Sequence, residues 1–135
     1  MAGTVTQATT TLVDPVKVVT LTCTADASDG SYPATALTGI PNDAKGGRIL
    51  QIITDPDGDT APQDNYDITL TDSGGANLLL GGGANRDTAN TEVAVINTNG
   101  AHPVYAGTDT LTLNITNNNV NSAGIVIKLY FTEGV

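Results

Sequence analysis

Tryptophan is absent from this 135-residue chain, phenylalanine, cysteine and histidine occur once each, and aromatic residues make up only 4% of it. A core must therefore be built almost wholly from Val, Ile, Leu and Ala. The single cysteine, Cys23, excludes an intrachain disulfide, and its place in an alternating apolar run predicts a buried thiol packed as a small hydrophobe. Basic residues are scarce too: Lys17, Lys45, Arg48, Arg86 and Lys128 stand against 14 acidic residues, for a net charge of −9. Nucleic acid is gripped by clustered cations that neutralise phosphates, and no three cations cluster here, so nucleic-acid binding is not expected. Met1 to Val5 has neither a charged n-region nor an apolar h-region, and no run approaches 18 apolar residues. Neither a secretion signal nor a membrane partner is predicted, and the chain is expected to be made in the cytoplasm.

What is present has a period of two. Helical periodicity is missing from every window, interrupted by Thr, Asn, Asp and Gly. Tyr66 to Asp72 and Asp109 to Thr116 alternate cleanly, with Ile68 and Leu70, and Leu111, Leu113 and Ile115, on shared faces. Gly124 to Thr132 places Ile125, Ile127, Leu129 and Phe131 inward. The asparagines at 117, 118, 119 and 121 then suggest a turn joining the last two strands as a C-terminal hairpin. Val16 to Ala25 sets Val19, Leu21 and Cys23 against a threonine row, Thr20, Thr22 and Thr24, that should be wet. Arg48 to Thr54 is apolar on both faces, Leu50 and Ile52 pointing one way and Ile49 and Ile53 the other, and so asks for cover on both. Thr91 to Ile96 is a further short strand, and Thr4 to Leu12 is a threonine-rich extended segment. The expected fold is an all-β, single-domain antiparallel β-sandwich or small barrel over residues 15–135, with residues 1–14 as an extended N-terminal arm or edge strand. Two long connections, Asp26 to Gly47 and Ser73 to Asn90, are where contacts with partners are expected.

Candidate chemistry is thin. Asp55-Pro56-Asp57-Gly58-Asp59 opens like a calcium loop, in which oxygens converge at about 2.3–2.6 Å, but Thr60 and Tyr66 stand where an EF-hand loop wants Gly and Glu. An ordinary acidic turn is favoured over a weak calcium site, and no metal or cofactor is assigned. Gly81-Gly82-Gly83-Ala84-Asn85-Arg86 lacks the Lys-Ser/Thr and the helix of a phosphate cradle, and follows the apolar anchor Leu78-Leu79-Leu80. His102 is the only histidine, and no nucleophile-elbow sequence surrounds Ser28, Ser31, Ser73 or Ser122, so no enzyme is expected. The residues singled out for a subunit contact are Arg48, Ile49, Ile53, Leu79, Arg86 and Asp87, the arginines because a guanidinium pairs bidentately with a carboxylate.

Thr60 to Asp72, continued by the glycine-rich stretch and Asn85 to Glu92, resembles small structural proteins encoded among the head and tail genes of tailed phages. Gly107 to Phe131, rich in Thr and Asn, resembles them in style, and together these segments cover a little over a third of the chain. That resemblance implies a virion part: a decoration or cement subunit of the capsid surface, a homotrimer whose partner is the major capsid protein. It carries over no functional residue position by position. A tail or head-tail connector component, and a carbohydrate- or cell-surface-binding β module, remain the alternatives.

Overall fold

The computed structural model describes residues 2–13, 15–38, 47–105 and 109–133. Every regular element among them is a strand: β1 (Thr4–Val13), β2 (Val16–Thr24), β3 (Thr35–Ala36), β4 (Gly47–Pro56), β5 (Asp67–Thr71), β6 (Glu92–Val95), β7 (Val104–Tyr105), β8 (Thr112–Thr116) and β9 (Gly124–Glu133). They form two antiparallel sheets. The larger runs β1-β2-β9-β4-β6, with β7 pairing beside β6 on the same edge of β4; the smaller runs β3-β8-β5. The sheets face each other across one apolar cluster and do not close into a barrel, so the fold is a sandwich of unequal layers.

Alternation explains the inner faces. Val19, Leu21 and Cys23 on β2, and Ile125, Ile127, Leu129 and Phe131 on β9, point inward from the larger sheet. Ile68, Leu70, Leu111, Leu113 and Ile115 oppose them from the smaller. The threonine row of β2 turns outward as expected, Thr22 and Thr24 being exposed. On β4 the register slips between Ile49 and Gln51, a bulge against β9. The extra residue changes the phase, so Ile49 and Ile52 share the inner face, whereas strict alternation would have set Ile49 beside Ile53.

The expected C-terminal hairpin is not formed. β8 belongs to the smaller sheet and β9 to the larger, so residues 117–123 cross from one layer to the other. The inner faces of these two strands meet through the core, which period-two alternation alone does not distinguish from lateral pairing. Asn118 holds the crossing: its Nδ2 donates to the Gly30 carbonyl at 2.7 Å and its Oδ1 accepts from the Gln63 amide at 3.0 Å. The N-terminal segment is a strand of the sheet, paired with β2 from Thr4 to Val13.

The long connection after β5 folds back along that strand. Leu78 donates its amide to the Leu70 carbonyl, Gly83 accepts from Ile68, and Arg86 donates to Tyr66. Leu78 and Leu79 plug into the core, and a side chain at Gly83 would run into the Ile68 carbonyl. From the other long connection, Leu37 reaches β8 through the Leu111 carbonyl, and Tyr32 donates its hydroxyl to Ala123 at 2.9 Å.

Thr54 is the buried polar residue of the core among those described. Its hydroxyl and that of Tyr66 lie inside without a partner at hydrogen-bonding geometry. Burial pushes the Tyr66 phenol up to about 12, against the smaller opposing pull of the Thr54 hydroxyl. Removing both hydroxyls while keeping shape, in Thr54→Val with Tyr66→Phe, is predicted to leave the protein at least as stable in urea titration. Leu113→Ala, which empties the facing side of the same core, is predicted to cost about 2–5 kcal/mol.

Candidate interaction surface

The outer faces of the two sheets are written differently. Outward from the smaller sheet point Asp67, Thr69, Thr71, Thr112, Asn114 and Thr116, a polar set laced together by Asn114 and Thr71. The larger sheet mixes apolar side chains with polar and charged ones on its outer face. Its register aligns three cross-strand rows: Val104, Arg48, Thr132, Val16 and Val13; then Val95, Gln51, Tyr130, Val18 and Thr10; then Val93, Ile53, Lys128, Thr20 and Ala8. Val93, Val95, Val104 and Val13 are 58–67% exposed. No strand among the described residues lies over this face, since the smaller sheet packs on the other. Val104, Val95 and Val93 follow one another along one edge of the face and Val13 lies at the other, and neighbouring exposed hydrophobes of this kind make the face a candidate association surface.

Charge follows the same division. Arg48 and Lys128 both stand exposed on this outer face, within the apolar rows, while the carboxylate on it, Asp55, sits toward the threonine end. At that end Thr22, Thr24, Asp55, Asp57, Gly124 and Val126 help line an open concavity of about 450 Å³.

Of the six residues singled out for contact, the structure brings Arg48 and Ile53 onto this face. Ile49 and Leu79 are core residues instead, 1% and 0% exposed, because the β4 bulge turns Ile49 inward and Leu79 anchors the loop over β5. Arg86 and Asp87 lie apart from the face and serve their own loop. The Arg86 guanidinium stands 3.7 Å from Glu92, whose Oε1 accepts the Asp87 amide at 2.6 Å. Sequence reading missed Val93, Val95 and Val104. Alternation in the Thr91 to Ile96 run marks Val93 and Val95 as one face, but which face was open depends on the sheet order.

The chemistry-bearing residues do not converge. Asp55 accepts from the Thr91 hydroxyl at 2.8 Å and Asp57 from the Thr60 amide at 3.0 Å, so both carboxylates tie turns. No group of three or more His, Cys, Asp or Glu side chains comes together among the described residues. Burial pushes the Cys23 thiol up to about 12, leaving it protonated and unreactive at neutral pH. His102 sets Nδ1 2.6 Å from the Ile96 carbonyl oxygen, a local tie beside the Asn99–Gly100 turn.

No protein-family model matches the chain. No curated protein matches it. Among solved structures, a chain of the cyanophage Pam1 capsid asymmetric unit resembles it with a TM-score of 0.38 and 14% identity, over 97% of this chain and 86% of that one. A likeness so distant bears neither on the fold nor on the function of this protein.

The loop of residues 87–90 is held by a carboxylate. Asp87 accepts from the amides of Ala89 and Asn90 and from the Asn90 side chain, and these bonds, the Ala89 amide first, hold its carboxyl below the usual value of 3.8. A lowered folded value means the contribution is complete above the unfolded value and lost as pH falls through the folded one. Amide exchange across residues 87–91, corrected for intrinsic rates, is therefore predicted to rise only as the pH falls below about 4, and Asp87→Ala to show the faster exchange already at neutral pH.

Proposed function

We propose that this chain is a structural subunit of a tailed-phage virion, a decoration protein that sits on the capsid surface and reinforces the lattice of the major capsid protein. The observation that carries the reading is the outer face of the larger sheet, where valines at 58–67% exposure flank Arg48 and Lys128. An outer face that sets Val93, Val95 and Val104 along one edge and Val13 at the other, where the smaller sheet's outer face is mostly polar, is suited to be covered there by something else. The resemblance of residues 60–92 and 107–131 to small phage structural proteins supports the class of partner. The scattered placement of His102, Cys23 and the carboxylates supports a protein that works through surfaces, without catalysis.

Docking through this face brings Arg48 and Lys128 against the partner, with Asp55 at the threonine end of the same face. Such an arrangement favours a shell surface carrying carboxylates between apolar patches. Protein mass spectrometry of purified particles is predicted to find the chain in hundreds of copies, and Val93→Asp with Val95→Asp to lower its occupancy at least tenfold while its circular dichroism stays unchanged. A handful of copies per particle indicates a tail or connector component. Full occupancy of the double variant removes the face from the contact.

A further inference from the structure

A sheet edge exposes a row of unpaired backbone donors and acceptors, and proteins that stay apart blunt such edges with short strands, charge, proline or a covering loop. Three of the four lateral edges here are blunted. The free edge of β5 is covered by residues 77–86 through the hydrogen bonds from Leu78 and Arg86 and to Gly83. The β3 edge is two residues long. On the far side of the larger sheet, β6 and β7 offer four and two residues, separated by the Thr98–Ala101 turn and Pro103, and β6 carries Glu92.

The fourth edge is left open among the described residues. β1 is ten residues long, Thr-Val-Thr-Gln-Ala-Thr-Thr-Thr-Leu-Val, without a charge, a proline or a glycine, and its one irregularity falls at its end, between Thr11 and Val13. From Ala8 to Val13 every residue is exposed, whichever face its side chain takes, with Leu12 at 55% and Val13 at 67%. Among the described residues this half-strand has no core beneath it and pairs with β2 alone. Gln7, just before it, is tied by its side chain to the Ala36 carbonyl and the Thr38 amide. The strand is thus anchored on one side and its edge is presented in extended form.

We infer that β1 is the contact between two copies of this chain, which pair antiparallel, β1 to β1, about a two-fold axis near Ala8. Charge selects the occupant. The first 25 residues hold one acid, Asp14, and one base, Lys17, so the whole net charge of −9 lies beyond them. An edge-to-edge pair brings the two neutral strips together and keeps the acidic turns of both copies apart, whereas most other approaches set like charges against each other. The strand is also compatible with its own reverse. About Ala8, Thr6 meets Thr10, Gln7 meets Thr9 and Ala8 meets itself, so hydroxyls face hydroxyls and no like charges are opposed. Backbone hydrogen bonds then supply the attachment, as in strand addition generally. The contact is isologous and closes at two copies, in contrast to the trimer implied by the phage resemblance. It does not depend on what covers the outer face.

Sedimentation of the full chain over a dilution series tests this. The wild type is expected at twice the 13.7 kDa chain mass. Ala8→Lys and Ala8→Glu, substitutions at an exposed position, are each expected to sediment as monomers with the far-ultraviolet circular dichroism of the wild type, and an equal mixture of the two to return to dimers. Val93→Asp with Val95→Asp, on the opposite edge, is expected to stay dimeric. A monomeric or trimeric wild type, persistent dimers of both Ala8 variants, a mixture that stays monomeric, or dissociation by the Val93 and Val95 changes would each overturn the inference.

Discussion

The mismatch in width between the two sheets governs this protein. With strands roughly 4.8 Å apart, the five strand positions of the larger sheet span about 19 Å, and the three of the smaller only about 10 Å. The smaller sheet can roof the middle of the larger one and no more. Hence β2, β9 and β4 bury Leu21, Ile127, Leu129, Phe131 and Ile52 almost completely, while the second half of β1 lies outside the roof with both faces wet. The core is dominated by aliphatic residues, with Phe131, Tyr32, Tyr66 and Tyr105 its only aromatic members, so its cohesion comes from the interleaving of branched side chains between layers.

Because β8 and β9 follow each other in sequence yet lie in opposite layers, the asparagine-rich crossing between them ties the sandwich together at one end. Asn118 reaches both the Gly30 carbonyl and the Gln63 amide, so three separate connections meet on one side chain. The polar residues of this chain are thus largely occupied with loops. Aspartates at 26, 57, 72 and 87 accept backbone amides at turns, which gives part of the acidic excess a local structural role. Two of the five cations, Arg48 and Lys128, stand instead on the outer face of the larger sheet, among its exposed valines.

Most strands were legible because alternation is a direct consequence of a half-buried pleat. β2, β4, β5, β6, β8 and β9 fall where the period of two placed them, and Cys23 is buried as its run implied. β3 and β7, at two residues, are too short to carry a period. The β4 bulge was invisible because Ile, Leu, Gln and Ile in succession suit either phase, and Ile49 moved from the expected surface to the core as a result. Leu79 moved likewise: an apolar pair in a glycine-rich loop signals an anchor, and an anchor is buried. The outer face itself could not be read from any one strand. It arises from Val93, Ile53, Tyr130 and Val16, which lie on four strands and become neighbours only through long-range pairing.

On the proposed function, the outer face of the larger sheet is covered when the protein is bound to the particle. Hydroxyl-radical footprinting of the chain, free and bound to the particle, measures this side chain by side chain. Tyr130, Val93, Val95 and Val104 should lose reactivity on binding, while Leu80, exposed in the loop over β5, should keep it. Protection of Leu80 with unchanged reactivity at the four face residues would contradict the account.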